Sequence, residues 1–356
     1  SVCGQELHGV GIDDCLAALE PHWHRALHDA AKFNAANETL KRGVGVASCW
    51  YGCGNTGLPN PSTMRIGITA DGQLCIHQGA TDIGQGSNTV ITQIAADALG
   101  LPVSQFHIIG PDTGLTPDCG KTSASRQTYV TGKAAELAGR ALRQTILAKS
   151  NMANDARLTL DGTTLRVSDN TATREINLTA LPITEHGYVL VAQETYDPPT
   201  QGLDANGQGI PYAVYGYGAQ IAEVQVDTIL GTVKVRHMTA AHDLGRVINP
   251  MLAEGQVEGG IAQGLGMALM EEYIPGRTEN LHDYLIPTTG DMPTIRSIFI
   301  EKPDPEGPYG LKGLGEHVLI PTAPAILNAI RHASGARITR LPALPHRVLA
   351  AIKAAQ

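Results

Sequence analysis

Twice along this chain, two strand-like runs are followed by a turn, a Gly-Gln pair and a helix. In the first instance, residues 64–69 and 73–78 flank Asp71-Gly72, and Asp-Gly between apolar runs marks a hairpin. Gly84-Gln85-Gly86 then leads into residues 87–99, where Val90, Ile91, Ile94, Ala95 and Ala98 recur at helical spacing. In the second instance, residues 217–226 and 232–238 form the hairpin pattern. Gly255-Gln256 follows at the head of a Gly/Ala/Met helix over about 253–272. Identity between the two stretches is too low to establish duplication. Their shared order nevertheless predicts an α+β protein with two related mixed sheet-and-helix subdomains.

The remaining elements fit around these two units. Residues 12–40 read as helix, broken into two pieces by Pro21. Residues 43–48 read as a buried strand, and the Gly/Asn/Pro-rich stretch 49–61 as a loop carrying Trp50 and Tyr51. A short strand at 106–109, a helix at about 128–149, a hairpin at Asp161-Gly162 and helices at 318–330 and 344–355 complete the pattern. The domain expectation is a helical segment over 1–42, a first subdomain over 43–175 and a second over 176–356.

With 42% hydrophobic and 17% charged residues, the 356-residue chain has ordinary globular composition. Its net charge of −8 argues against nucleic acid as a partner. No apolar run has the length of a membrane span and no basic-then-apolar leader is visible, so a cytoplasmic location is expected. Of six cysteines, only Cys49 and Cys53 lie close together, as C-x₃-C, which fits neither a zinc ribbon nor a ferredoxin-type cluster. Reduced thiols are expected, and no protein ligand set for a metal is visible. An enzyme of this kind that moved electrons would need its carriers on other chains.

Several short motifs could carry chemistry. Residues 79–87 join a strand to a helix, where N–H groups favour an anion or serve as an ordinary capped turn. The dinucleotide fingerprint fails there, because Thr89 stands at the third glycine position. Residues 114–122 end in Gly-Lys-Thr but have five residues between the glycines where a phosphate loop has four. Just beyond, residues 122–127 form a small polar edge that could hold an anion with Arg126 as charge partner, or simply cap a helix. Trp50 and Tyr51 either staple a loop or line a pocket for a planar ligand. Finally, Pro308-Tyr309-Gly310-Leu311-Lys312-Gly313-Leu314-Gly315-Glu316 delivers a carboxylate at the end of a glycine-rich run, either as a helix cap or as a general base.

Taken in order, residues 79–86, 122–127, 254–259 with 263–266, 312–316 and the following Pro321-Thr322-Ala323-Pro324 resemble the molybdopterin-binding part of the xanthine dehydrogenase and aldehyde oxidase family of molybdenum hydroxylases. The similarity runs from about Gly43 to the C-terminus. It implies that Gly84, Gln85, Gly86 and Gln256 contact the molybdopterin, with Gly313 and Gly315 lining it closely. Ser123, Ala124, Ser125 and Arg126, with Gln127 adjacent, would hold its phosphate side. Tyr51 would line the substrate pocket. Glu316 would be the base that takes a proton from the oxygen attacking an electron-poor carbon. The pterin ligates the molybdenum, so no protein metal ligand is required.

The family's earlier Gly-Gly-Phe-Gly-type loop and its metal-facing Arg segment have no counterpart in this chain. It therefore resembles the C-terminal half of a split molybdenum subunit, as in the medium molybdopterin subunit of nicotinate dehydrogenase. The resemblance implies a second molybdopterin subunit with the other half, an iron–sulfur subunit with 2Fe-2S clusters and an FAD subunit. It also implies a pterin in its dinucleotide form. The expected substrate is an N-heteroaromatic, nicotinate- or purine-like, with water as the oxygen source. An aldehyde is the alternative, and a non-catalytic cofactor-binding or assembly role is the reading from another class.

Overall fold

The computed structural model describes residues 1–355. In chain order its elements are α1 (Ile12–Ala35), β1 (Leu40–Cys53), β2 (Ser62–Ile68), β3 (Leu74–His77), α2 (Ser87–Leu99), β4 (Phe106–Ile109), α3 (Gly132–Ser150), β5 (Arg157–Asp161), β6 (Thr164–Ser168) and β7 (Thr173–Asn177). They continue as β8 (Leu190–Tyr196), β9 (Val214–Asp227), β10 (Val233–Asp243), α4 (Pro250–Leu269), β11 (Thr294–Ile300), α5 (Glu316–Ser334) and α6 (Pro345–Ala355). The chain divides into two units that interleave along the sequence. The first comprises Ser1–His8, Gly52–Val214 and Pro303–Gly313, and the second Gly9–Tyr51, Tyr215–Lys302 and Leu314–Gln356. The consecutive blocks 1–42, 43–175 and 176–356 expected from the sequence therefore do not coincide with the units. The physical reason is that α1 packs on β10, so the N-terminal helix belongs to the second core.

The first unit is built on a sheet of order β4-β3-β2-β8, with β2 antiparallel to β3 and to β8, and β3 parallel to β4. A parallel pair needs a crossover, and α2 supplies it. α3 packs on α2 and across β2 and β8, and β5-β6-β7 form a small separate meander.

The second unit repeats this topology. Its sheet has order β1-β9-β10-β11, with β9 antiparallel to β10, β10 parallel to β11, and α4 as the crossover. Hairpin, helix, parallel strand, helix thus recurs, which is the internal echo seen in the sequence.

Strand alternation sorts the second unit into layers. Val44, Ala219, Ile221 and Ala241 face α1, while Ala222, Val224, Met238 and Ala240 face a core shared with α4, α5 and α6. On β1, Gly43 and Gly45 face α5 closely: a Cβ on Gly45 would stand 2.2 Å from the Ala325 carbonyl oxygen. α4 meets α5 the same way. A Cβ on Gly260 would lie 2.7 Å from Val318 Cβ, and one on Gly264 2.4 Å from Thr322 Cβ. Successive turns meet in the same order, so the two helices run parallel.

Two local expectations are corrected. Pro21 lies inside one continuous α1 rather than splitting it. Trp50 and Tyr51 extend β1 instead of forming a loop, because backbone pairing with β9 carries the strand through Cys53.

Candidate functional site

In the first unit, three loops come together. Thr122 Oγ1 donates to the Thr81 carbonyl at 2.8 Å, and the Gly79 N–H donates to Cys119 Sγ at 3.2 Å, tying the loop after β3 to the loop before α3. The Gly54 N–H donates to the Ala124 carbonyl at 2.7 Å. Gly313 backs onto the same segment, where an added Cβ would stand 2.1 Å from the Ser125 carbonyl oxygen. Ala124 and Ser125 are consecutive non-glycine residues at φ 57° and 52°. That left-handed conformation costs roughly 1–2 kcal/mol per residue and persists where surrounding contacts over-determine it. Ser123 is exposed, and Ala124 and Ser125 are half-buried.

The loop after β3 is organised by a residue that motif reading passed over. Asp82 Oδ1 accepts from the Gly84 N–H at 2.9 Å and the Gly86 N–H at 3.3 Å, and Oδ2 accepts from the Asn88 N–H at 3.0 Å. Partial burial pushes this carboxyl up, but the bonds from Asn88, Gly84 and Gly86 together outweigh it and hold Asp82 below the usual carboxylate range. The start of α2, read either as an anion site or as a capped turn, thus already carries an anion of its own. The legible signal was Asp two residues before Gly, an Asx-turn spacing. Gln85 folds over this loop: its Oε1 accepts from the Ile83 N–H at 2.6 Å, and its Nε2 donates to Ser87 Oγ at 3.2 Å. Gly84 is exposed, with open space where a Cβ would be.

Two residues of the expected phosphate edge turn inward. Arg126, expected as a charge partner for an anion, is fully buried. Its guanidinium donates to the carbonyls of Cys119, of Lys121 at 3.3 Å, of Asn60 at 3.0 Å and of Pro61 at 2.9 Å. Its charge knits loops together rather than facing a ligand. Gln127 is likewise buried, donating to the Lys121 carbonyl and Thr122 Oγ1 at 3.1 Å each and accepting from Thr131 Oγ1 at 2.5 Å.

In the second unit, Glu316 is the first residue of α5 and is half-buried. Gln256 lies on α4 one turn before Gly260, the residue that meets Val318 in the first turn of α5. The parallel packing puts Gln256 and Glu316 at the same end of the helix pair. β1 runs antiparallel to α5, its Gly43 meeting Ala329 and Ala333 while its Cys49 Sγ donates to the His317 carbonyl at 3.1 Å. Tyr51 follows Cys49 on the same strand face, toward the Glu316 end. Trp50 points to the other face and stacks on Tyr215, with ring centroids 5.0 Å apart and planes at 20°. The two aromatic residues, read together as either a loop staple or a pocket lining, are thereby separated onto opposite faces of the strand.

The six cysteines are free thiols, and no group of three or more His, Cys, Asp or Glu side chains among the described residues could hold a metal. Among the described residues, no helix is long and apolar enough to cross a membrane.

The first unit thus presents a glycine-lined backbone loop cluster with an exposed Ser123, and the second unit, by itself, a half-buried carboxylate at a helix start. The sequence matches the molybdopterin cofactor-binding domain family over residues 17–293, and the chain belongs to that family. It is 33% identical over 364 residues to the xanthine dehydrogenase molybdenum-binding subunit of Escherichia coli O157:H7, covering 97% of this chain and 46% of that protein. It is 30% identical over 349 residues to the 6-hydroxypseudooxynicotine dehydrogenase complex subunit gamma of Paenarthrobacter nicotinovorans, covering 92% of this chain and 42% of that one. Its fold matches the aldehyde oxidoreductase from Desulfovibrio gigas with a TM-score of 0.83 at 30% identity, over 99% of this chain and 36% of that chain. The chain spans less than half the length of these relatives.

The first unit suits such a cofactor. Gln78 Oε1, buried at the head of the loop after β3, and Asn60 Nδ2, buried beside Gly54, have no hydrogen-bond partner among the described residues. A buried orphan acceptor and a buried orphan donor are costly unless a ligand or water completes them, and a pterin is rich in both kinds of group.

Proposed function

We propose that this chain is the glutamate-bearing part of a molybdenum hydroxylase that hydroxylates an electron-poor carbon of an N-heteroaromatic substrate, nicotinate- or purine-like, with water as the oxygen source. The supporting observation is Glu316 at the head of α5, with Gln256 and Tyr51 brought to the same end of the second unit. The bound molybdenum–pterin group supplies the oxygen transfer and takes up the electron pair. Glu316 accepts the proton of the attacking oxygen. Gln85 and Gln256 hydrogen-bond the pterin, and Gly84, Gly86, Gly313 and Gly315 let backbone approach it. Ser123, Ala124 and Ser125 hold the phosphate side through backbone and hydroxyl groups. Arg126 and Gln127 support that edge from within. Tyr51 lies against the substrate ring.

The active enzyme is a cytoplasmic complex in which a second molybdopterin subunit carries the remaining half, and iron–sulfur and FAD subunits remove the electrons. The pterin is in its dinucleotide form. The Paenarthrobacter relative is a subunit of a dehydrogenase complex, which supports a multi-chain assembly. The aldehyde oxidoreductase similarity favours a second reading, in which the substrate is an aldehyde oxidised to its acid. Turnover by the native complex separates the two readings. Molybdenum is expected in the complex, with faster reduction of an electron acceptor by nicotinate or hypoxanthine than by benzaldehyde. The reverse order selects the aldehyde, and a complex without molybdenum overturns both readings. The chain expressed alone is expected to hold no stoichiometric molybdenum.

A further inference from the structure

The first turn of α5 is held by groups from three strands. Pro321 has no N–H, so the His317 carbonyl one turn earlier loses its helical donor. The Cys49 thiol of β1 takes that place at 3.1 Å. From β9, Gln220 Nε2 donates to the Val318 carbonyl at 2.7 Å, while its Oε1 accepts from Thr322 Oγ1 at 2.7 Å. From β10, His242 stacks its ring on His317, with centroids 5.2 Å apart and planes at 19°. Gln220, His242, His317 and Thr322 are all fully buried.

The pattern fixes protonation states as well as positions. The Gln220 atom beside the Val318 carbonyl must be the amide nitrogen, since a carbonyl only accepts. The same nitrogen lies 3.1 Å from His242 Nε2, so that ring atom accepts and His242 is neutral. Burial, and then the neighbouring His317, push the His242 imidazole well below its ordinary range in the same sense. Burial lifts the Cys49 thiol to about 12, so it keeps the proton it donates. Room for the His242 ring comes from Gly218, where a Cβ would stand 2.2 Å from His242 Nδ1.

We propose that Cys49, Gln220 and His242 are positioning residues that set the rotation and height of the first turn of α5 and thereby aim the Glu316 carboxylate. Side chains at 316 and 317 project about 100° apart around the helix axis. Locking the His317 ring inward therefore fixes the direction of Glu316. This inference rests on the general-base reading of Glu316.

The test uses Gln220→Leu, Cys49→Ala and Cys49→Ser in the native holoenzyme, with molybdenum content measured for each. Gln220→Leu and Cys49→Ala are expected to lower kcat by about tenfold to a hundredfold, the scale of a misplaced catalytic group. KM should stay within about twofold. Amide exchange in residues 316–322 should be faster. Cys49→Ser restores a hydroxyl donor and should recover most of the kcat. Unchanged kcat with faster exchange overturns the proposal, as does unchanged exchange with lowered kcat. Loss of molybdenum in Gln220→Leu and Cys49→Ala overturns it too, since the residues then support cofactor retention. A parallel Glu316→Gln control separates the failures: if that variant keeps its turnover, the general-base reading falls, while the exchange data still report on the clamp.

Discussion

At the scale of single residues, the chain spends buried charge on building loops. Arg126 donates to four backbone carbonyls from full burial. Arg126→Met leaves those carbonyls without their donor and is expected to cost at least about 3 kcal/mol of stability by chemical denaturation. Arg126→Lys recovers little, because an ammonium cannot reproduce the planar fork. From the sequence Arg126 reads as an anion partner because it stands among small polar residues. Which way its side chain turns depends on the carbonyls of residues 60–61, remote in sequence, and no local pattern encodes that. Asp82 is the opposite case: its partners Gly84, Gly86 and Asn88 are all local, so its role was readable from spacing.

His242 gives the same buried economy a pH signature. Its pKa is lowered by burial in the folded state, so the unfolded chain binds the extra proton first as pH falls. The contribution of His242 is therefore fully present above the ordinary imidazole pKa of about 6.5 and declines below it by up to about 1.4 kcal/mol per pH unit. His242→Gln should flatten the fall in melting temperature between about pH 7 and 5.5. An unchanged pH slope would show that this imidazole does not govern it.

At the scale of elements, glycine placement decides how closely helices and strands approach. Gly260 and Gly264 let α4 press on the first two turns of α5, and Gly43 and Gly45 let α5 lie on β1. Gly260→Leu must push Val318 aside, at an expected cost of about 1–3 kcal/mol in stability, with Glu316 displaced at the same time. A melting temperature equal to the parent's would mean that the two helices adjust freely. Element identity was legible where periodicity was strong: α2 begins and ends where its apolar spacing does, and both hairpins fall at their Asp-Gly or polar turns. The end of β1 was not legible. Cys49 to Cys53 look like a loop by composition, yet sheet pairing, a tertiary effect, keeps them extended. Pro21 misled in the same way, since packing of α1 on the sheet holds the helix through it.

At the scale of the whole molecule, the repeated topology was visible as a weak echo, but the interleaving of the two units was not. Segments 1–8 and 303–313 join the first unit from far along the chain, and nothing in their own composition marks this. The ordered motifs carried more: four short segments in sequence, three of them glycine-bearing, led to the molybdopterin-binding family that the match over residues 17–293 establishes. The proposed function rests on Glu316 acting as the base. The most direct measurement is turnover and molybdenum content of the native complex carrying Glu316→Gln, a near-isosteric change that removes the proton acceptor. Molybdenum at the parent level with turnover reduced to near background is expected. Parent-level turnover with molybdenum retained would contradict it.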